Sequence, residues 1–309
     1  MKLTKRWGIL IGLASYVLWG IMPLYWKLLE HVDSLEILAH RMLWSAVILV
    51  PVCLIARRDV FLRLFRERRA VLILLGAGLL CVFNWGLFIF AVVTDHILET
   101  SMGYFINPLM NIAIGMLFFK EKLSPFQIIA LILATVGVLF FTIDYGSFPW
   151  LSIGLATSFA GYGALKKFGG YPALPALAVE TSLVAPLAIA YVVFAFFLPE
   201  HAFLALDASG ALTSASLITT ILLICGGVLT FIPILLFSEA VNVIPLSWMG
   251  FLQYLSPTIS LLIGVFVFSE SFTFAHAVCF GLIWLGLLLI VLESFLKRRH
   301  RSGNDGQIL

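Results

Sequence analysis

Apolar residues run along this chain in blocks of about twenty, long enough to cross a hydrocarbon core of ~30 Å as helices. Ten blocks can be read: 8–29, 35–56, 71–93, 97–119, 124–143, 149–168, 173–198, 213–238, 246–268 and 272–295. They show no alternation of period two, so they predict helices and not the strands of a membrane barrel. The first block follows Lys2, Lys5 and Arg6. It is too long for a signal peptide and lacks a small-residue cleavage site, so it counts as the first span.

Composition agrees with that pattern. Of 309 residues, 62% are hydrophobic and 11% charged, against about 25% charged in a soluble domain. The expected partner of most of the surface is therefore the lipid bilayer. Basic residues cluster at 2–6, 57–69, 120–122, 166–167 and 297–301, leaving only Lys27 and Arg41 elsewhere. Cytoplasmic loops retain Lys and Arg, so both termini are expected in the cytoplasm of a multi-pass protein of the cell (inner) membrane. Cys53, Cys81, Cys225 and Cys279 lie in or at the ends of spans without C-x-x-C spacing and read as small hydrophobes.

A shift of 149 residues lays Pro108 on Pro257, Gly115 on Gly264, Phe119 on Phe268, Glu121 on Glu270 and Gly137 on Gly286. Gly12-Leu13-Ala14 meets Gly154-Leu155-Ala156 at a smaller shift. Five spans is an odd number, so the second copy would enter the membrane upside down. The expected fold is an all-α membrane protein of ten transmembrane helices in two inverted five-helix repeats. The halves would be 1–145 and 146–296, followed by a basic tail at 297–309. Transporters are often built this way, with the solute site at the repeat interface near the midplane.

Several runs carry a resemblance: Ala14-Ser15-Tyr16, Trp19-Gly20, Pro23, Glu36-Ile37, His40-Arg41, Trp44-Ser45 and Asn84-Trp85, then Gly103-Tyr104-Phe105-Ile106-Asn107-Pro108-Leu109, Gln253-Tyr254, Pro257-Thr258 and Ile283-Trp284. Together they resemble the RarD branch of the drug/metabolite transporter superfamily, whose halves are EamA-type repeats. The resemblance implies a ten-helix inner-membrane permease in a branch labelled as chloramphenicol-sensitivity proteins. The second half departs from the pattern at Ser269-Glu270, where Gly-Glu is usual, and at Gly169-Gly170-Tyr171 after Lys166-Lys167.

Candidate binding residues follow from polar groups at membrane depth. Pro108 and Pro257 both sit ~16 Å into their spans, from opposite sides. An interior proline frees the carbonyl four residues back, here those of Tyr104 and Gln253, and the pair is flanked by Asn107 and Tyr254. These positions are either helix breaks beside a midplane site or packing kinks satisfied by neighbours. Arg41, beside His40, costs about 2.5–3.5 kcal/mol at a helix centre. It either snorkels outward or pairs with Glu36, or it serves as an anion anchor or counter-ion in a cavity. Glu180 is the only carboxylate well inside a span, and its alternatives are proton coupling and a structural partnership. Trp19, Trp44, Asn84 and Trp85 lie at intermediate depth and line a pocket or pack in the core. Asn84 must face a polar partner, because an unpaired amide in hydrocarbon costs several kcal/mol.

The segment Phe61–Arg69 alternates apolar and basic residues like an amphipathic helix on an anionic leaflet, or a plain basic loop. Its charge and that of 297–301 do not imply a nucleic-acid partner. Gly161-Tyr162-Gly163 lacks the residues that precede it in a potassium filter. No H-E-x-x-H, G-x-S-x-G or paired aspartate occurs, so no enzyme, metal or cofactor is expected. The expected function is alternating-access transport of a small metabolite or drug-like solute, with coupling to protons left open.

Overall fold

The computed structural model describes residues 4–93, 97–146, 148–198, 201–206, 210–269 and 272–305. Lys2 and Glu270 lie outside them. Among the described residues the chain is helical throughout: α1 Lys5–Trp26, α2 Ser34–Arg66, α3 Arg68–Val93, α4 Ile97–Phe119, α5 Pro125–Tyr145 and α6 Trp150–Gly169. There follow α7 Ala173–Phe196, α8 Ser214–Val243, α9 Leu246–Gln253, α10 Leu255–Phe266 and α11 Phe274–Asp305. Local chemistry sets several ends. Asp33 accepts from the amides of Leu35 and Glu36 at the start of α2. Ser124 and Gln127 form a reciprocal capping box around Pro125 at the start of α5. Gly146 closes α5 with φ 78°, a left-handed value that suits glycine.

Nine stretches among the described residues are long and apolar enough to cross a membrane. The expected span at 149–168 is the remaining helix, α6, which is less apolar because Ser152, Thr157, Ser158, Lys166 and Lys167 lie on it. It packs between α3 and α4, and Ser152, Ser158 and Lys166 are buried there. The polarity of the molecule is inverted relative to a soluble protein. Ile55, Phe118 and Phe197 stand outside, 88%, 77% and 79% exposed, while Glu36, His40, Asn107, Asn111 and Glu180 are buried. An apolar exterior of this extent has lipid as its solvent.

Two elements differ from the sequence pattern. α2 does not end near residue 56: it kinks at Arg57 (φ −147°, ψ 37°) and continues to Arg66. The amphipathic segment therefore joins α2, and its apolar face, with Phe61 and Leu64 buried, closes onto the main core. The block 246–268 is divided, with α9 ending at Gln253 and α10 starting at Leu255. The helix break is not symmetric, since α4 runs unbroken through Pro108. Pro257 instead falls in the first turn of α10, where a missing N–H removes no ladder bond.

The main packing pairs are α2 with α7 and α8, α5 with α11, α4 with α9, α4 and α3 with α6, and α1 with α8 and α10. Two glycines mark how close α5 and α11 come. A Cβ on Gly137 would lie 3.1 Å from the Cys279 carbonyl oxygen, and one on Gly286 would lie 3.1 Å from the Cα of Ala130.

Candidate functional site

Asp33 fixes the first turn of α2, and from there Glu36, His40 and Trp44 repeat every four residues along one face. Glu36 accepts hydrogen bonds from the backbone amides of Ala202 (2.9 Å) and Phe203 (3.0 Å). Its carboxylate is therefore committed to the 201–206 segment. His40 stacks on Phe203 with ring centroids 4.6 Å apart, and its Nδ1 accepts from Trp44 Nε1 at 3.1 Å.

Arg41 and Ser45 lie on the next face, toward α8. Ser45 Oγ donates to the Gly227 carbonyl at 3.0 Å, and a Cβ on Gly227 would stand 2.5 Å from the Cβ of Trp44. At that near-contact of backbones Arg41 reaches across, and its Nε donates to Thr230 Oγ1 at 2.9 Å. The guanidinium carbon lies over two indoles, 4.5 Å from the Trp26 ring centre and 4.7 Å from the Trp85 ring centre. Among the described residues no carboxylate comes within ion-pair distance of it. Its remaining N–H groups have no protein acceptor there either. Tyr104, half exposed, is within electrostatic reach of Arg41.

Trp85 and Thr230 also line a narrow cavity of about 30 Å³ that continues between α2, α3, α7 and α8 to Cys81, Glu180 and Thr181. Its other polar end is closed. Lys166 Nζ donates to Glu180 Oε2 at 2.6 Å, with both side chains at most 5% exposed, and lies 5.5 Å from the Tyr162 ring centre.

The other sequence candidates fall outside this box. Trp19 belongs to an aromatic cluster with Tyr16, Phe159 and Phe237. Asn84 Nδ2 donates to the Leu155 carbonyl (2.7 Å) and to Ser158 Oγ (2.9 Å), tying α3 to α6. Asn107 and Gln253 are buried in an amide cluster that joins α4 to α9. Asn111 Nδ2 donates to Gln253 Oε1 at 2.6 Å and Gln253 Nε2 to Asn107 Oδ1 at 2.9 Å. Tyr254, fully buried, donates to the Phe105 carbonyl at 3.4 Å. The structure thus puts Trp85 and Glu180 on one cavity, with Arg41 held against its lining residues Trp85 and Thr230, and puts Asn107, Gln253 and Tyr254 at a helix crossing.

A clasp closes the end of the bundle where α6 finishes and α9 starts. Glu121 accepts from the amides of Leu246 (2.7 Å) and Ser247 (2.8 Å). Lys167 stands 3.4 Å from Glu121 and donates to the Ile244 carbonyl at 2.8 Å. Burial alone would raise the Glu121 carboxyl, but the two amides and the Lys167 ammonium outweigh it and hold the group below the ordinary glutamate range.

Residues 6–143 match the model of the EamA-like transporter family. The chain is 39% identical over 300 residues to the uncharacterized transporter YojE of Bacillus subtilis, covering 96% of this chain and 97% of that one. It is 37% identical over 298 residues to protein RarD of Escherichia coli, covering 96% and 98%. The chain is a RarD-type member of the EamA family. At 30% identity over 306 residues it also matches the chloramphenicol-sensitive protein RarD of Pseudomonas aeruginosa, covering 96% and 98%. A solved crystal structure superposes on this RarD-type chain with a TM-score of 0.69 at 16% identity, covering 94% and 98%, which shows a shared fold.

Some partners were not visible in the sequence of this RarD-type protein. Lys166 counts there as part of a basic cytoplasmic pair, and nothing in the order of residues assigns it to Glu180. Trp26 stands seven residues after Trp19, two helical turns along α1, and that spacing alone could have brought it forward. Asn111, four residues after Asn107, carried the same signal.

Proposed function

We propose that this RarD-type protein is a carrier that moves a small solute through its membrane by alternating access. The observation that carries this reading is the cavity between α2, α3, α7 and α8, with the Arg41 box at one end and the buried Lys166–Glu180 pair at the other.

In this reading the halves 1–145 and 146–296 are inverted repeats of five spans each, α9 and α10 forming one span and α6 the least apolar. The packing supports it. Exchanging α1 with α6, α2 with α7, α3 with α8, α4 with α9–α10 and α5 with α11 keeps the α2–α7, α5–α11 and α4–α9 pairs and turns α4–α6, α3–α6 and α2–α8 into α10–α1, α8–α1 and α7–α3; among the described residues the contacts of α6 with α8 and of α4 with α5 have no such mates. Gly137 meets Cys279 and Gly286 meets Ala130, and each pair is carried into the other by the shift of 149. Arg41 and Glu180 are likewise each the eighth residue of their helices, one near each mouth. With both termini cytoplasmic, the Glu121–Lys167 clasp closes the inner mouth. Opening that mouth separates α6 from α8 and draws Lys166 from Glu180. A buried carboxylate left without a partner takes a proton, which would couple the solute to protons.

Counterflow of radiolabelled metabolites in proteoliposomes tests the carrier. Saturable exchange is the expected result, and proteoliposomes that exchange none of a broad panel of metabolites would overturn the reading. Replacing Glu180 with Gln should remove the dependence of uptake on a pH gradient while exchange continues.

A further inference from the structure

We propose that the solute is an organic anion, a monocarboxylate with a planar or branched apolar body, and that the free edge of Arg41 binds its carboxylate. The proposal deepens the carrier reading and rests on it for the word solute; the binding site itself rests on geometry.

Arg41 carries a positive charge that no carboxylate balances among the described residues. Its neighbours do not neutralise it: Glu36 is spent on the amides of Ala202 and Phe203, and Glu180 on Lys166. Nor does Arg41 reach toward a lipid head group. Nε is held by Thr230 on α8, and the guanidinium carbon lies over the rings of Trp26 and Trp85. With Nε anchored and the indoles taking up apolar contact, the Nη groups, which have no acceptor among the described residues, are the part free to meet a ligand, and their edge can donate two parallel N–H bonds. A carboxylate accepts two parallel bonds in one plane, so its shape fits this edge as well as its charge does.

The rest of the space selects the body of the ligand. Trp85 and Thr230 belong both to the Arg41 box and to the cavity, whose apolar wall is formed by Met42, Val82, Leu177, Val184, Phe231 and Ile234, with Ser45 and Thr181 as neutral polar groups. In this conformation the cavity holds only about 30 Å³, far below the ~300–1,000 Å³ of ligand pockets, so the apolar body enters as the surrounding helices part. No free carboxylate remains to receive an ammonium group, because Glu180 already has Lys166 at 2.6 Å. Amino acids and cations therefore lack a partner for their positive charge, and simple inorganic anions leave the apolar walls unfilled.

The emission of Trp26 and Trp85 provides a reporter. Purified full-length protein in detergent is titrated with acetate, isovalerate, benzoate and 2-naphthoate, each beside its amide, and with benzylamine and phenylalanine. Saturable change in tryptophan emission is expected for the larger carboxylates and not for the amides, benzylamine or phenylalanine. Arg41→Gln should weaken carboxylate binding at least about tenfold, with thermal unfolding reporting whether that variant is folded. Thr230→Val, which releases Nε without removing the charge, should weaken the same carboxylates by a smaller factor and keeps the test open if Arg41→Gln does not fold. The proposal is overturned if no carboxylate binds, if amides or amines bind as well, or if both variants bind like the wild type. Carboxylate binding without counterflow would overturn the carrier and keep the anion site. Counterflow confined to neutral or cationic solutes would do the reverse.

Discussion

A guanidinium set over two indole rings differs from a charge merely tolerated in a membrane helix. The Arg41 head rests on aromatic faces, so the apolar surroundings and the charge are reconciled without an ion pair. Lysine cannot reproduce this, since an ammonium has neither the flat faces nor the fork. Arg41→Lys should reach the membrane at wild-type levels and lose counterflow at least about tenfold, measured against protein amount in the same vesicles; normal counterflow would return Arg41 to a packing role. A cost of a different kind attaches to Lys166 and Glu180. Removing either partner alone should destabilise the protein by about 3–5 kcal/mol, and removing both by much less. Thermal unfolding of Lys166→Met, Glu180→Met and the double variant reads that order. Arg41 and Glu180 were legible as charges in apolar runs, whereas Trp26, Thr230 and Lys166 were not, because neighbours across α1, α6 and α8 are chosen by packing and leave no mark on the spacing of residues.

Helix crossings are where the sequence said least and the geometry is tightest. The blocks located every helix, yet not the run of α2 past Arg57 or the break at Tyr254. Both depend on tertiary contacts: Phe61 and Leu64 bury against the core, and Gly250 comes against the Pro108 carbonyl. At the α2–α8 crossing a Cβ on Gly227 would meet backbone, with Ser45 N 2.8 Å away, while one on its repeat mate Gly78 would meet the end of Val184 at 2.8 Å. A side-chain end can turn aside and a backbone cannot. Gly227→Ala should therefore cost more than Gly78→Ala, about 1–3 kcal/mol or above, in detergent thermal unfolding. The clasp at α9 responds to acid. Because the folded-state Glu121 carboxyl lies below its unfolded value, its contribution is complete above the unfolded value and is lost as pH falls through the folded one. A single cysteine introduced at the inner end of α9, in a background without the four native cysteines, should become more accessible over that fall, and with Glu121→Gln added it should be accessible at every pH. An unchanged profile in the variant would place the acid response elsewhere.

At the scale of the molecule, the proposed arrangement of five spans per half inverts the second half relative to the first, and the basic clusters orient it. Reporter fusions after residue 32 or 145 should read as external, and after 67 or 300 as cytoplasmic; an external reading after 300 would break the ten-span arrangement. The weak link in that arrangement is α6, which carries Lys166 and Lys167 and is the least apolar of the ten. Its pairing with α7 bears on how the chain is made. Glu180 lies fourteen residues after Lys166, across the short turn between α6 and α7, so the two helices emerge from the ribosome close together and can enter the translocon as one hairpin. Lys166 then crosses into lipid already joined to its counter-charge, and a helix too polar to partition alone is carried in by its successor. Truncating the nascent chain before Glu180 should leave α6 outside the bilayer, while extending it through Phe196 should bring both helices in together, as read by glycosylation sites placed on either side of α6.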